Sequence, residues 1–284
     1  MKKILGLCVL FASLLPLAGC GSTSASGETK VEKITVAASE IPHAEILSNA
    51  VKPLLEKKGY QLEVTVLDWT LQNDAVKNSD YDANYFQHSP YLYSYDSGKS
   101  DYDSSYTYQS VFPVVAVHFE PLRIYPGKSS AADFAAKKTT ATYEICNDVS
   151  NEIRALDLLK ACGVISDYQL DEKGNPINLP SNITPIAEDL LAASRTDYDY
   201  AVLPTNTALT ANLSGDSSLP SEGDDVADLR ANVLAGNVSK YRSDTDYKAR
   251  IDALADALLD KSVDTYIQSK YQGVIKTYQK DLRK

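Results

Sequence analysis

The chain has 284 residues, and its 38 Asp and Glu against 28 Lys and Arg give a formal net charge of −10 at pH 7. A hydrophobic fraction of 44% and a charged fraction of 23% are typical of a folded, soluble protein and exclude a disordered or collagen-like chain. The acidic balance argues against nucleic acid as a partner, because phosphate binding needs clustered Lys and Arg. Four cysteines are too few for a disulfide scaffold.

The first residues have the layout of a secretory signal. Two lysines precede an apolar run from Ile4 to Ala18, which is too short and too interrupted for a transmembrane helix. The run ends in Leu17-Ala18-Gly19-Cys20, which resembles the bacterial lipobox. The resemblance implies that 1–19 is a signal peptide, and that acyl chains on Cys20 anchor the mature protein to a membrane. An ordinary signal peptide with an incidental cysteine is the alternative.

Residues 20–32 are expected to form the lipidated cysteine and a flexible tether, since the residues after Cys20 lack large apolar groups as far as Lys30. Cys8 would be removed with the signal, which leaves Cys146 and Cys162 as candidates for a disulfide or as free thiols. No C-x-x-C motif or second ligand cluster indicates a metal site.

From Lys33 onward the sequence alternates β-rich runs with helical apolar rhythms. The first strand, helix and strand predict a βαβ unit, and therefore a parallel sheet with helices on its faces. Within that helix Pro53 is expected to introduce a kink or a late start, and Gly59 to end it. The predicted elements are strands at Lys33–Ala38, Gln61–Leu67, Val111–Val117 and Tyr198–Leu203, and helices at Ala44–Lys58, Glu152–Ala161, Tyr247–Ala257 and Ser262–Lys270. This order indicates an α/β protein, with two lobes.

Residues 93–110 read YSYDSGKSDYDSSYTYQS, a low-complexity segment without an aliphatic side chain. Serine and aspartate interrupt any apolar face, so the segment is predicted to be a solvated surface helix or loop. Stacking of its tyrosines on sugars is the functional alternative.

Signals for catalysis are weak. The chain has no G-x-S-x-G, H-E-x-x-H, Walker A or G-x-G-x-x-G motif. A hydrolase that uses His88 or His118 is disfavoured, because no nucleophile accompanies either histidine. We therefore expect a protein that is not an enzyme and needs no cofactor or metal.

Polar and aromatic residues cluster where predicted elements begin or end. Asn84–His88 is expected just after a short strand, His118–Pro121 at the end of another, and Asn147–Arg154 at the start of a helix. Ligands of open α/β sheets bind beyond the carboxyl ends of strands, and helix N-termini attract anions. Arg154 would add a bidentate contact to a carboxylate, and Asn151 is either a ligand contact or the helix cap.

Trp69 and Phe86 either wall an apolar or thioether side chain or pack in the core. Combined with the carboxylate contacts, these side chains predict an amino acid or a similar zwitterion as the ligand.

A series of motifs then identifies a family. They are Pro42–Leu47, Val51–Leu55 with Gly59-Tyr60, Tyr81–Leu92, His118–Pro121, Asn147-Asp148 with Asn151-Glu152, and Arg154–Leu156. In this order they resemble the methionine-binding lipoproteins of the NlpA/MetQ type, the substrate-binding subunits of bacterial methionine ABC importers. The D-A-N-x-F-Q-H-x-P-Y-L block is highly specific.

The resemblance implies a two-lobed α/β fold of the periplasmic-binding-protein type, with lobe 1 at 33–117 and 230–284 and lobe 2 at 118–229. The lobes would close around L-methionine or a close analogue by a hinge. The resemblance also implies a monomer, lipid-anchored on the extracytoplasmic side of the cell membrane, that delivers its ligand to an ABC permease and its ATPase.

The resemblance also assigns site residues. Arg154 would meet the ligand carboxylate, Asn151 and Asn232 would contact the head group, and His118 is a secondary candidate. The full predicted set is Trp69, Phe86, His88, His118, Asn151, Arg154, Asn206 and Asn232.

Departures from the family pattern leave the ligand open. Trp69 replaces the usual tyrosine, and Pro204 falls on a ligand-contacting asparagine that Asn206 would replace from two positions away. Another apolar amino acid or a methionine-containing dipeptide is therefore an alternative ligand. A surface interaction protein with a degenerate cleft, binding through 93–110, is an alternative of another class.

Overall fold

The computed structural model describes residues 31–213, 215 and 218–283. The predicted signal peptide, the lipidation at Cys20 and most of the predicted tether lie outside these residues. Each helix of the described chain is too short or too polar to cross a membrane. Cys146 and Cys162 are both free thiols, so the alternative of a disulfide between them is excluded.

The strands of the described residues form a large sheet of six strands, a small sheet of four and a separate pair. They are β1 Glu32–Ala38, β2 Tyr60–Val66, β3 Ala83–His88, β4 Val111–Phe119, β5 Arg123–Pro126, β6 Tyr143–Cys146, β7 Gln169–Leu170, β8 Pro176–Ile177, β9 Ile183–Ile186, β10 Tyr200–Leu203, β11 Ala231–Asn237 and β12 Lys276–Asp281.

Helices lie between most of these strands. The α-helices are α1 Lys52–Glu56, α2 Trp69–Lys77, α3 Ser89–Ser97, α4 Phe134–Lys137, α5 Val149–Ala161, α6 Glu188–Ser194, α7 Thr205–Thr210, α8 Ala227–Arg230, α9 Val238–Ser243, α10 Thr245–Leu258 and α11 Lys261–Tyr271. Wider helical turns occupy Glu40–Ala44 and Leu47–Val51, and tighter ones occupy Ala131–Asp133, Arg195–Asp197 and Asp224–Val226.

The large sheet has the order β12-β4-β11-β3-β1-β2. β1 is parallel to both β2 and β3, which confirms the predicted βαβ unit. The remaining pairs are antiparallel, and in one of them Asn232 of β11 lies opposite His88 of β3. Asn232 also lies opposite His118 of β4, so one end of this sheet brings together three polar side chains from separate motifs.

The small sheet has the order β5-β10-β6-β9, in which β6 is parallel to β10 and to β9. The chain enters it through the short connection after Phe119 and leaves it through the segment between Leu203 and Ala231. Each sheet has its own apolar core: Val36, Tyr85 and Leu254 lie in the first, and Tyr143 and Leu156 lie in the second. Separate cores on either side of paired connections are the architecture of a two-lobed protein.

Several local predictions need correction. Asn84–His88 lies within β3 and not after a strand, because its backbone pairs with β1 on one side and β11 on the other. Asn151 is not the cap of α5: Asp148 caps that helix and accepts the backbone N–H of Asn151. Pro53 lies in the first turn of α1, where a missing backbone N–H is tolerated.

The tyrosine-rich segment begins in a helix and continues as a loop at the surface, as predicted, but one of its tyrosines is buried. Its first residues lie in α3, where Tyr93 is buried and meets the rings of Tyr102 and Tyr106 edge to face. Asp96 accepts the backbone N–H groups of Gln109, Ser110 and Val111, which fixes the return of the chain into β4. Tyrosines of this segment also line a cavity of about 320 Å³, which we call the tyrosine cavity.

Candidate functional site

A cleft lies between the ends of β3, β4 and β11 in the large lobe and the N-terminal ends of α5, α6 and α7 in the small lobe. Its lining consists of Ser39, Trp69, Phe86, Gln87, His88, Tyr91, Glu120, Asn151, Arg154, Glu188, Pro204, Asn206 and Asn232. All of the predicted site residues except His118 are in this lining. Pro204 and Asn206 both line the cleft. The proline that departs from the family pattern therefore has an amide side chain beside it.

Arg154 is the central cation of the cleft and is only 3% exposed. Its Nε donates to Oε1 of Glu222 at 2.7 Å, and its Nη2 donates to Oε2 of Glu222 and to the carbonyl oxygen of Glu120. These bonds fix the guanidinium from one side. Nη1 has no hydrogen-bond partner among the described residues, so the arginine keeps a free donor at the cleft.

A relay of hydrogen bonds crosses the cleft and fixes the protonation of His88. Asp148 accepts the side-chain amide of Asn151 at 2.9 Å, which turns the Asn151 oxygen toward His88 Nε2 at 3.0 Å. Nδ1 of His88 accepts the backbone N–H of Tyr91 at 3.2 Å. His88 is therefore neutral with its proton on Nε2. Burial and the nearby Arg154 hold its pKa well below the usual value, which agrees with this assignment.

His118 lies directly behind the cleft. Its Nε2 donates to Glu120 at 2.6 Å and its Nδ1 meets the Tyr85 hydroxyl. Oε2 of the same Glu120 carboxylate accepts the backbone N–H of Asn206 at 3.0 Å. His118 therefore positions Glu120, which joins the connection after β4 to the start of α7.

His43 was not among the predicted ligand contacts, although it lies in the Pro42–Leu47 motif. It is fully buried, and its Nε2 lies 3.1 Å from the Asn232 oxygen and 3.3 Å from Glu120 Oε1. Because the Asn232 oxygen faces His43, its side-chain amide nitrogen is left for the cleft. Burial lowers the pKa of His43 to about 4 and that of His118 to about 3, so both imidazoles are neutral near pH 7.

Aromatic rings form the wall of the cleft on the large-lobe side. Trp69 and Phe86 both meet Tyr91 edge to face, with ring centroids 5.4 and 5.8 Å apart. Trp69 is the first residue of α2, and a buried network among Asn73, Asn84 and Gln87 holds that helix against β3. Tyr91 belongs to the specific Tyr81–Leu92 block, so the motif contained it although the prediction did not name it.

The small-lobe side carries an acid that the sequence did not single out. Glu188 begins α6, and its Oε1 accepts the hydroxyl of Thr207 at 2.9 Å. Burial and the neighbouring Asp148 raise the pKa of Glu188 to about 7. The Cys146 thiol donates to Asp148 at 2.8 Å, and burial raises its pKa, so it is an uncharged thiol. Nothing in the sequence around Glu188 indicated a cleft residue.

Two groups of described residues have the side-chain types of metal ligands, namely His43 with His118 and Glu120, and Cys146 with Asp148 and Glu188. Both groups take part in hydrogen bonds. In the first, Nε2 of His43 and Nε2 of His118 face an amide and a carboxylate oxygen as donors, whereas Nδ1 of His43 has no partner among the described residues. In the second, the Cys146 thiol donates to Asp148, and Glu188 accepts the Thr207 hydroxyl.

Comparison with known proteins settles the family. The model of the NlpA lipoprotein family matches residues 34–278. The chain belongs to the NlpA lipoprotein family. It is 32% identical to the methionine-binding lipoprotein MetQ of Bacillus subtilis, over 97% of this chain and 98% of that protein. The family predicted from the motifs is thereby confirmed.

Two solved structures share the fold. A putative methionine-binding lipoprotein from Bacillus subtilis is 30% identical, with a TM-score of 0.71 over 88% of this chain and 99% of that chain. A nutrient binding protein from Burkholderia cenocepacia, solved bound to methionine, is 25% identical, with a TM-score of 0.70 over 86% of this chain and 99% of that chain. The predicted α/β, two-lobed fold is confirmed.

Proposed function

We propose that this NlpA-family chain is a lipid-anchored binding protein that captures L-methionine, or a close analogue, and delivers it to the permease and ATPase of an ABC importer. One observation carries the proposal: a buried arginine with a free donor, Nη1 of Arg154, lies in one cleft with an aromatic wall. A carboxylate and an unbranched thioether are the groups that such a cleft accommodates. The relative solved with methionine supports the choice of ligand.

The polar groups are arranged for an amino-acid head group. The Asn232 amide nitrogen and Nη1 of Arg154 are donors for a carboxylate. Asn151 lies in the first turn of α5, where the positive end of the helix dipole attracts a carboxylate. The rings of Trp69 and Phe86 provide apolar surface for the side chain. We also propose that His118 acts through Glu120. The proposed ligand contacts are Trp69, Phe86, His88, Asn151, Arg154, Asn206 and Asn232.

The lobes must separate to admit the ligand before they close around it. We propose lobe boundaries at 117/118 and 229/230, close to where the chain leaves the large sheet after β4 and returns before β11. The bond between His88 and Asn151 joins the two sides of the cleft and would break on opening. Hinges of this class lie in connections between lobes, so the segments after β4 and before β11 are the proposed hinge.

The remaining parts of the proposal concern the setting of the protein. We propose acylation of Cys20, with 1–19 removed and 20–32 as the tether, which places the lobes on the extracytoplasmic side of the cell membrane. We also propose that the chain acts as a monomer, and that it binds without catalysing a reaction. Transport needs no covalent step in the cleft, since ligand capture and release suffice.

Calorimetric titration tests the ligand. The chain 21–284, unfolded and refolded to remove bound material, is titrated with L-methionine, D-methionine, L-leucine and L-alanyl-L-methionine. We expect saturable binding with a dissociation constant of about 1 μM or lower for L-methionine, about −8 kcal/mol. A competitor that binds more tightly would move the specificity to that ligand, as Trp69 and Pro204 allow. A folded protein that binds none of them would contradict the proposal.

A further inference from the structure

The carboxylate of Glu188 faces the cleft without a cation. It lines the cavity, and Oε1 accepts one hydroxyl, that of Thr207. The neighbour of Oε2 is the Cys146 sulfur at 3.9 Å, and that thiol donates at a shorter distance to Asp148. No Lys, Arg or His of the described part of the chain forms an ion pair with Glu188.

The charged groups that act on Glu188 belong to the start of α5 and to the segment after β4. Asp148 at the start of α5 and Glu120 after β4 add negative charge, and Arg154 of α5 adds positive charge. Arg154 is already bonded to Glu222, so its charge is largely balanced. Burial raises the pKa of the Tyr91 hydroxyl, and the nearby charges of Asp148 and Glu188 raise it further. The surroundings of Glu188 therefore carry more negative than positive charge.

Aromatic rings of the large-lobe side line the same cavity as this acid of the small-lobe side. Tyr91 meets both Trp69 and Phe86 edge to face, and all three rings line the cavity together with Glu188. A carboxylate beside aromatic faces is a favourable environment for an ammonium group, because the rings attract cations as well. Arg154, with its free Nη1, independently indicates that a ligand carboxylate binds in the same cavity.

We propose that Glu188 binds the ammonium group of a zwitterionic ligand whose carboxylate is held by Arg154, and that it selects ligands that carry a primary ammonium. The inference rests on the proposed function and adds a residue that determines specificity. The ammonium is either the α-amino group of methionine or the terminal amine of a methionine-containing dipeptide. Both are the same chemical group, and the experiment separates them.

Protonation of Glu188 makes the affinity for the ligand depend on pH. Burial raises the pKa of Glu188 to about 7, and a bound cation favours the ionised form. Below about pH 7 the carboxyl must lose its proton when the ligand binds, so affinity falls as pH falls from about 8 to about 6. His43, His88 and His118 do not contribute over this range, because burial holds the pKa of each imidazole well below it.

The test compares Glu188→Gln with wild type on three ligands: L-methionine, L-alanyl-L-methionine and 4-(methylthio)butanoate, which lacks the amine. The glutamine keeps an oxygen for Thr207 and removes the charge. At about pH 8 we expect Glu188→Gln to weaken the tighter ammonium ligand by about 10-fold or more, and to change the affinity for the butanoate by less than about threefold. Whichever ammonium ligand is tighter for wild type identifies the source of the amine.

Asp189→Asn is the matched control, because Asp189 is the next residue of the same helix and is exposed. It should leave all three affinities and the pH dependence unchanged, whereas Glu188→Gln should abolish the fall in affinity between about pH 8 and about pH 6. An equal effect of Glu188→Gln on all three ligands, or no effect, would overturn the inference. Wild type that binds none of them would contradict the proposed function, and with it this inference.

Discussion

Replacement of Arg154 by alanine is expected to weaken the binding of L-methionine by at least about 100-fold. The variant removes the only guanidinium that lines the cleft among the described residues, and with it the free Nη1 donor. It also leaves Glu222 as a buried carboxylate without its cation, which adds repulsion toward the ligand carboxylate. Calorimetric titration of the refolded variant measures the loss.

Arg242→Ala is the control for this variant, because Arg242 is an exposed arginine that lines the tyrosine cavity and not the cleft. We expect it to bind methionine with wild-type affinity. If Arg154→Ala retained that affinity while Arg242→Ala lost it, the ligand would belong in the tyrosine cavity, and the alternative of binding through 93–110 would gain support.

The second large effect is on stability, and it comes from Glu222. Its carboxylate accepts two bonds from Arg154 and the backbone N–H of Leu122 at 2.7 Å, so it joins the segment that leaves the small lobe to the one that enters it. Removal of one partner of a buried ion pair leaves the other uncompensated. We therefore expect Glu222→Ala to lower the free energy of unfolding by about 3–5 kcal/mol, measured by urea denaturation.

A double variant separates the fold from the binding site. Arg154→Met with Glu222→Gln removes both charges and keeps an acceptor for Leu122, so most of the stability lost in Glu222→Ala should return. The same protein should fail to bind methionine, because the guanidinium is missing. Recovered stability with recovered binding would contradict the role of Arg154; a double variant as unstable as Glu222→Ala would contradict the account of the ion pair.

The local patterns predicted much of the fold. The βαβ start needed only the alternation of β-rich runs with a helical rhythm over neighbouring residues, and α10 and α11 appear at their predicted positions. The edge strand β5 and the hairpin of β7 and β8 were not predicted. These short segments are strands only because they pair with neighbouring strands. A pattern of so few residues does not reveal such pairing.

The site was predicted where it rests on motifs and missed where it rests on long-range contacts. Arg154 and Asn151 lie in one motif at the start of α5, so one short block places both. Glu222 contacts Arg154, which lies 68 positions away in the sequence. Glu188 lines the cleft because α6, which follows β9, begins there. Neither acid lies in a recognisable motif. Their roles follow from the topology of the small lobe, which the sequence does not state.

The central claim is that methionine binds in the cleft with its carboxylate on Arg154 and its thioether between the rings. L-selenomethionine tests this most directly, because protein produced with ordinary methionine contains no selenium. In crystals of 21–284 grown with this ligand, anomalous scattering from selenium therefore marks the ligand alone. We predict a single peak beside Trp69 and Phe86, with the ligand carboxylate on Arg154. A peak confined to the tyrosine cavity, or no peak with a ligand that saturates the protein in solution, would contradict the account.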